Sequence, residues 1–141
     1  MTDNPVLRQK LNTILLIDDD PNCNFLHRRV ISKSDCSNGV VVQEAGEDAL
    51  NYLTSHSEDA PELIFLDLNM PGMSGWEFIE EFRNLPVPVQ ERVKIMVLTS
   101  SLNPDDQERA ANTQDIAGMY DKLLTQDTLQ HILKTHFPDR L

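Results

Sequence analysis

Short apolar runs alternate with amphipathic stretches along this chain. The runs are TILLI (13–17), VVVQEA (40–45), LIFL (63–66), VKIMVL (93–98) and the weaker IAGMY (116–120). Most lack the in–out alternation of a half-exposed strand. Continuous apolar strands belong in a sheet covered on both faces. The intervening segments carry apolar residues at helical spacing. Residues 21–34 place Phe25, Leu26, Val30 and Ile31 on one stripe, and 47–56 place Ala49, Leu50 and Leu53. Residues 75–85 carry Trp76, Phe78, Ile79, Phe82 and Leu85, and 126–137 carry Leu129, Ile132, Leu133 and Phe137. The stretch 104–114 has only Ala110 and Ala111 as anchors, so its helix is expected to be the least firmly packed.

Strand and helix thus alternate five times. That order predicts right-handed crossovers and a parallel sheet between two layers of helices. The expected fold is α/β, a flavodoxin-like (βα)5 doubly wound sheet of five strands in the order 2-1-3-4-5. The 141 residues suit one domain. Residues 1–11 read as a polar leader and 12–141 as the domain, with no output domain after it. The stretch PVPVQER (86–92) reads as a surface loop.

In such a sheet, ligands bind beyond the carboxyl ends of the strands, where the strand order reverses. Here that point lies between the first and third strands, and both end in acid. The first run leads into Asp18, Asp19 and Asp20, and the third into Asp67. Asp20 precedes Pro21, which suits a helix N-cap with proline at the first helical position. Asp18, Asp19 and Asp67 are left to converge on one crevice. Unshielded like charges a few ångströms apart conflict, and a divalent cation removes the conflict. Oxygen-only ligands with room for water suit Mg²⁺. A carboxylate beside Mg²⁺ can also attack phosphorus and become an aspartyl phosphate. Further partners for a phosphoryl group stand at the next strand ends: Thr99, Ser100 and Ser101 after the fourth, Lys122 after the fifth.

Four segments, LLIDDDPN (15–22), LIFLDLNMPGMSGWEF (63–78), IMVLTSS (95–101) and MYDKL (119–123), together resemble the receiver domain of two-component response regulators of the single-domain, chemotaxis-regulator type. The resemblance spans about residues 12–137. It implies Asp67 as phosphoacceptor, with Asp19 and Asp67 as direct Mg²⁺ ligands and Asp18 acting mainly through water. Asn69 would add its backbone carbonyl. Thr99 would be the hydroxyl that moves toward the phosphoryl group, and Lys122 the cation that pairs with it. Asn69 and Ser101 would flank the path of attacking water. Gly72 and Gly75 would supply unusual backbone angles in the turn MPGMSG. The chain departs from the family pattern twice. Leu123 follows Lys122 where the family usually has proline in a cis peptide, so a trans bond is expected. Met119 stands where the family often has a reporting aromatic, with Tyr120 beside it.

The implied function is acceptance of a phosphoryl group from a partner histidine kinase or histidine phosphotransfer domain, followed by a change in partner binding. The expected output face is 104–137, in a monomer or a weak dimer. One alternative is a pseudo-receiver that binds partners without phosphorylation. Another is a Mg²⁺-dependent phosphatase with an aspartyl nucleophile. Such enzymes use Asp-x-Asp, but here Asn69 stands at the second position and cannot cycle a proton. A non-enzymatic role is therefore expected. The formal net charge of -11 argues against nucleic-acid or anionic-membrane partners. Cys23 and Cys36 form no CxxC pair, the four histidines lack metal-ligand spacing, and no segment approaches a membrane span or signal peptide. A cytoplasmic location is expected.

Overall fold

The computed structural model describes residues 9–100 and 103–140. The elements follow the order β1 (Ile14–Ile17), α1 (Pro21–Ser34), β2 (Val40–Gln43), α2 (Gly46–Ser55), β3 (Leu63–Leu66), α3 (Gly75–Phe82), α4 (Val87–Arg92), β4 (Lys94–Thr99), α5 (Pro104–Ala111), β5 (Ile116–Asp121) and α6 (Gln126–His136). A 3₁₀ turn, Pro138–Arg140, follows. The five strands are parallel, in the order β2-β1-β3-β4-β5.

Strands β1 and β3 are buried along their whole length because successive side chains enter two different cores. Ile14 and Leu16 of β1 join Leu63 and Phe65 of β3 beneath α1 and α6, with Ile31, Leu129, Ile132 and Leu133. Leu15 and Ile17 join Ile64 and Leu66 on the other side, with Leu53 of α2 and Phe78, Ile79 and Phe82 of α3. Each fully buried Leu, Ile or Phe contributes about 1.5–3 kcal/mol. The edge strands β2 and β5 are less covered.

Four features depart from expectation. Helix α1 is rotated: Asn24, His27 and Ile31 face inward, while Phe25 is 60% and Leu26 39% exposed. The Asn24 side-chain amide donates to the Asp18 carbonyl (2.9 Å), which fixes the phase of the helix against the end of β1. Residues 86–92 are not a loop but contain α4. Pro86 and Pro88 occupy its start, where prolines are tolerated, and Val89 is buried. The Gln90 amide donates to the carbonyls of Arg83 and Leu85 (3.0 and 2.7 Å), closing the end of α3. Leu11, assigned to the polar leader, is fully buried, and its backbone exchanges hydrogen bonds with residues 36 and 38. The Lys122–Leu123 peptide is cis, not trans. Its surroundings leave little freedom: the Lys122 N–H donates to the Thr99 carbonyl (3.0 Å), its ammonium is ion-paired, and Leu124 is buried.

Helix α5 is thinly anchored, as expected. Among its described residues only Ala110 is buried. Below it lies a cleft of about 410 Å³ lined by Gln107, Ala110, Ile116, Gly118 and Met119. The Arg109 guanidinium lies over the Trp76 ring of α3, 4.2 Å from its centroid. A contact of this kind contributes about 0.5–1 kcal/mol at an exposed site.

The burial of Leu11 can be checked by truncation. Leu11→Ala is expected to cost about 2–5 kcal/mol, the usual range for such a change in a core. Urea unfolding would measure it, and a loss below about 0.5 kcal/mol would place Leu11 outside the core.

Candidate functional site: the acidic crevice at the strand ends

Register brings the carboxylates together. Ile17 of β1 is paired with Leu66 of β3, so Asp18 and Asp67 leave adjacent strands at the same level. The Asp67 N–H donates to the Ile17 carbonyl (3.0 Å), and the Asp18 N–H to the Gln43 carbonyl (3.2 Å). Asp18, Asp19 and Asp67 offer carboxylate oxygens that all lie within 4.8 Å of one another. Asp18 and Asp67 are buried, 4% and 6% exposed, and Asp19 is more open. Asp20 stands apart from the trio. It caps α1, accepting from the N–H groups of Asn22 (2.9 Å) and Cys23 (3.4 Å), and these bonds hold its pKa below the ordinary value.

Among the described residues, Lys122 answers this charge. Lys122 Nζ lies 2.6 Å from Asp18 Oδ2 and 3.5 Å from Asp67 Oδ1. Burial opposes its charged form, but the bond to Asp18 and the charges of Asp18 and Asp67 outweigh burial, and its pKa is raised. Asp67 is pushed up, first by burial and then by the charge of Asp18. Lys122 and a hydrogen bond from the Asn69 backbone act against this. The trio thus carries more negative charge than Lys122 balances, and its donors are all oxygens. That donor set fits a hard divalent cation with retained water. Thr99, at the end of β4, is completely buried. Ser100 is exposed, and Ser101 lies outside the described residues.

The turn after Asp67 is shaped by two glycines in different ways. Gly72 adopts φ +77°, the left-handed conformation that favours glycine. Gly75 does not share it. Its need is space: a Cβ there would sit 2.7 Å from the Asp67 carbonyl oxygen and 2.8 Å from Leu68 Cα. The Gly75 N–H donates to the Leu68 carbonyl (2.9 Å), and Ser74 with Glu77 forms a capping box. Helix α3 is therefore locked directly against the backbone of Asp67.

Two neighbours were not anticipated from the sequence. Asn24 holds the Asp18 carbonyl, and buried His27 keeps a pKa lowered by desolvation, with the charge of Asp18 opposing. Their three-residue spacing with each other, and four to Ile31, is a helical stripe that a search for apolar positions passes over. Met119 and Tyr120 point to opposite sides of the sheet. Met119 lines the cleft under α5, whereas Tyr120 packs on the α1–α6 core and meets the His131 ring edge-on at 6.2 Å.

A groove of about 1120 Å³ opens between α1 and the segment 123–126 after β5. Phe25, Leu26, Val30, Val42, Leu123 and Leu124 supply apolar lining, and Arg28, Arg29 and Lys33 outnumber Glu44 among its charged residues. Among the described residues, no helix is long and apolar enough to cross a membrane.

Residues 14–134 match the family model described as the response regulator receiver domain. The chain is 31% identical over 134 residues to transcription factor SKN7 of Chaetomium thermophilum, covering 92% of this chain and 16% of that protein. It is 32% identical over 97 residues to response regulator Rcp1 of Synechocystis, covering 66% of this chain and 65% of that protein. The chain therefore spans less than two thirds of either relative. The crystal structure of a two-component response regulator from Cytophaga hutchinsonii superposes with TM-score 0.84 at 31% identity, covering 90% of this chain and 97% of that one. The Mn²⁺-bound form of Rcp1 shares the fold, with TM-score 0.70 at 23% identity, covering 92% and 96%. The match over residues 14–134, on a sheet of the same topology, establishes that the chain belongs to the response regulator receiver domain family of two-component signalling.

Proposed function

We propose that this domain is a phosphoacceptor: Asp67 takes a phosphoryl group from a phosphohistidine on a partner kinase or phosphotransfer domain. The supporting observation is the meeting of Asp18, Asp19 and Asp67 with Lys122 at the ends of the central strands, beside the buried hydroxyl residue Thr99. An Asp67 carboxylate oxygen forms the new bond to phosphorus as the P–N bond breaks, and the electron pair returns to the donor imidazole. Asp19 and Asp67 would hold Mg²⁺ directly, Asp18 through water, and Asn69 by its backbone carbonyl. Mg²⁺ supplies neutralisation of the charge on the transferring group. Lys122 shifts its partnership from Asp18 toward the phosphoryl oxygens, and Thr99 donates its hydroxyl to them. The domain is read as a signalling module rather than an enzyme.

The same reading assigns the groove between α1 and Leu123 to the phosphohistidine partner. Its lining includes Leu123, the residue after Lys122, and Asn24, which bonds the Asp18 carbonyl, so a partner seated there would lie next to the crevice. The groove's excess of Arg28, Arg29 and Lys33 over Glu44, in a chain of net charge -11, favours a partner with acidic residues around an apolar ridge. The output is a population shift toward a state with altered partner affinity.

The decisive experiment is incubation with acetyl phosphate and Mg²⁺, followed by intact-mass analysis at acid pH. Wild type is expected to gain one phosphoryl group and Asp67→Asn none. Labelling of the variant at the wild-type level would remove Asp67 from the role.

Stability provides a second check. Raised in the native state, the Asp67 carboxyl favours folding when protonated. That contribution is complete below its unfolded value near 3.8 and is lost as pH rises through the native value. Asp67→Asn is therefore expected to raise Tm at neutral pH without metal, with the gain vanishing as pH falls. Millimolar Mg²⁺ is expected to raise the wild-type Tm by mass action and to do little for Asp19→Asn. Thermal scans across pH and Mg²⁺ concentration decide both points.

The groove assignment separates two donors. Phe25→Ala with Leu123→Ala is expected to slow labelling by a phosphohistidine protein by on the order of tenfold or more, since exposed anchors of this kind dominate docking. Labelling by acetyl phosphate is expected to stay unchanged. Equal slowing with both donors would mean that the change damages Asp67's surroundings instead.

A further inference from the structure

We propose that the Arg109–Trp76 stack is a latch that holds α5 on the domain, and that occupation of the acidic crevice releases it. This rests on the reading of Asp67 as phosphoacceptor. Three observations carry it. Helix α5 buries only Ala110 among its described residues and borders a cleft, so little buried side-chain packing fixes its position. Arg109 is exposed, yet its guanidinium lies 4.2 Å from the centroid of the Trp76 ring, joining α5 to the first turn of α3. That turn cannot move independently of Asp67. Gly75, immediately before Trp76, packs against the Asp67 carbonyl oxygen and bonds to Leu68.

The stack thus connects the backbone of the proposed phosphoacceptor to the most weakly packed helix. It lies on the same side of the sheet as the cleft lined by Met119, whereas Tyr120 faces the opposite core. An inward pull on Thr99, at the end of the strand preceding α5, and the fixed Trp76 then act on the two ends of one helix. The entry to β5 is held separately: Arg83 of the segment ending α3 pairs with Asp115 at 2.8 Å. Motion is therefore confined to α5 and need not unzip the sheet.

Arg109→Ala tests the latch, because alanine is at least as good a helix former as arginine and cannot loosen α5 through propensity. Amide exchange over 104–111 is measured with and without Mg²⁺ and beryllofluoride, and Tm is recorded on the same samples. Wild type is expected to exchange faster in this helix with the mimic. Arg109→Ala is expected to exchange faster already without it, and to change little on its addition. Trp76 is the only tryptophan, so its emission reads the stack directly. The variant's emission without the mimic is expected to match that of wild type with it. If beryllofluoride raises Tm but α5 exchange in Arg109→Ala equals that of wild type, the latch is overturned and the site reading stands. If beryllofluoride leaves the wild-type Tm unchanged, the site reading falls, and a latch governed by that site falls with it.

Discussion

Two carboxylates side by side at the ends of adjacent buried strands are the constraint from which the rest of this molecule follows. Asp18 and Asp67 are placed together by the pairing of Ile17 with Leu66. They cannot separate without breaking the sheet. Their repulsion and desolvation are only partly offset by Lys122, whose ammonium is nearer Asp18 than Asp67. Burial first, and then the charge of Asp18, raise the Asp67 pKa against the pull of Lys122. A group in that condition gains from a cation placed beside it.

Placement of Lys122 depends in turn on the strand order. β5 is an edge strand, two strands away from β3, and its last residues must turn back toward the middle of the sheet. The Lys122 N–H is tied to the Thr99 carbonyl, so the end of β4 carries both a hydroxyl and the anchor for the cation. Leu124, one residue beyond Leu123, enters the α1–α6 core. The same few residues therefore serve the site, the core and, through exposed Leu123, the groove beside α1.

The parts legible in the sequence are those set by local periodicity. Continuous apolar runs marked β1 and β3, since both sheet faces are covered, and acids following those runs marked the crevice. The missed parts were decided by tertiary contacts. The phase of α1 is set by Asn24 and His27, polar residues turned inward, and hydrophobicity alone rotates that helix the wrong way. Leu11 is flanked by the polar residues Arg8–Lys10 and Asn12–Thr13 and lies outside the first apolar run, yet a bridge to Ser37 draws it in. Helix α4 is a single short turn-and-a-half whose Pro-x-Pro start reads as a loop, although proline suits a first turn. The cis bond before Leu123 has no proline to announce it.

Helix α5 presents the opposite balance to the crevice. Around Asp67, packing permits almost no movement: even a methyl group at Gly75 would collide with backbone. Between α5 and β5, by contrast, Gly118 and the alanines Ala110, Ala111 and Ala117 leave a cleft, and the helix beside it is rich in charge. A local perturbation in a rigid region is transmitted rather than absorbed, and the displacement appears where restoring contacts are fewest. In this domain that place is α5. Were Asp67 phosphorylated as proposed, that division would let one covalent change leave the sheet intact and still alter an outer surface. It also explains why Tyr120, packed into the firm α1–α6 core, is poorly placed to follow, whereas Met119 lies where the space is.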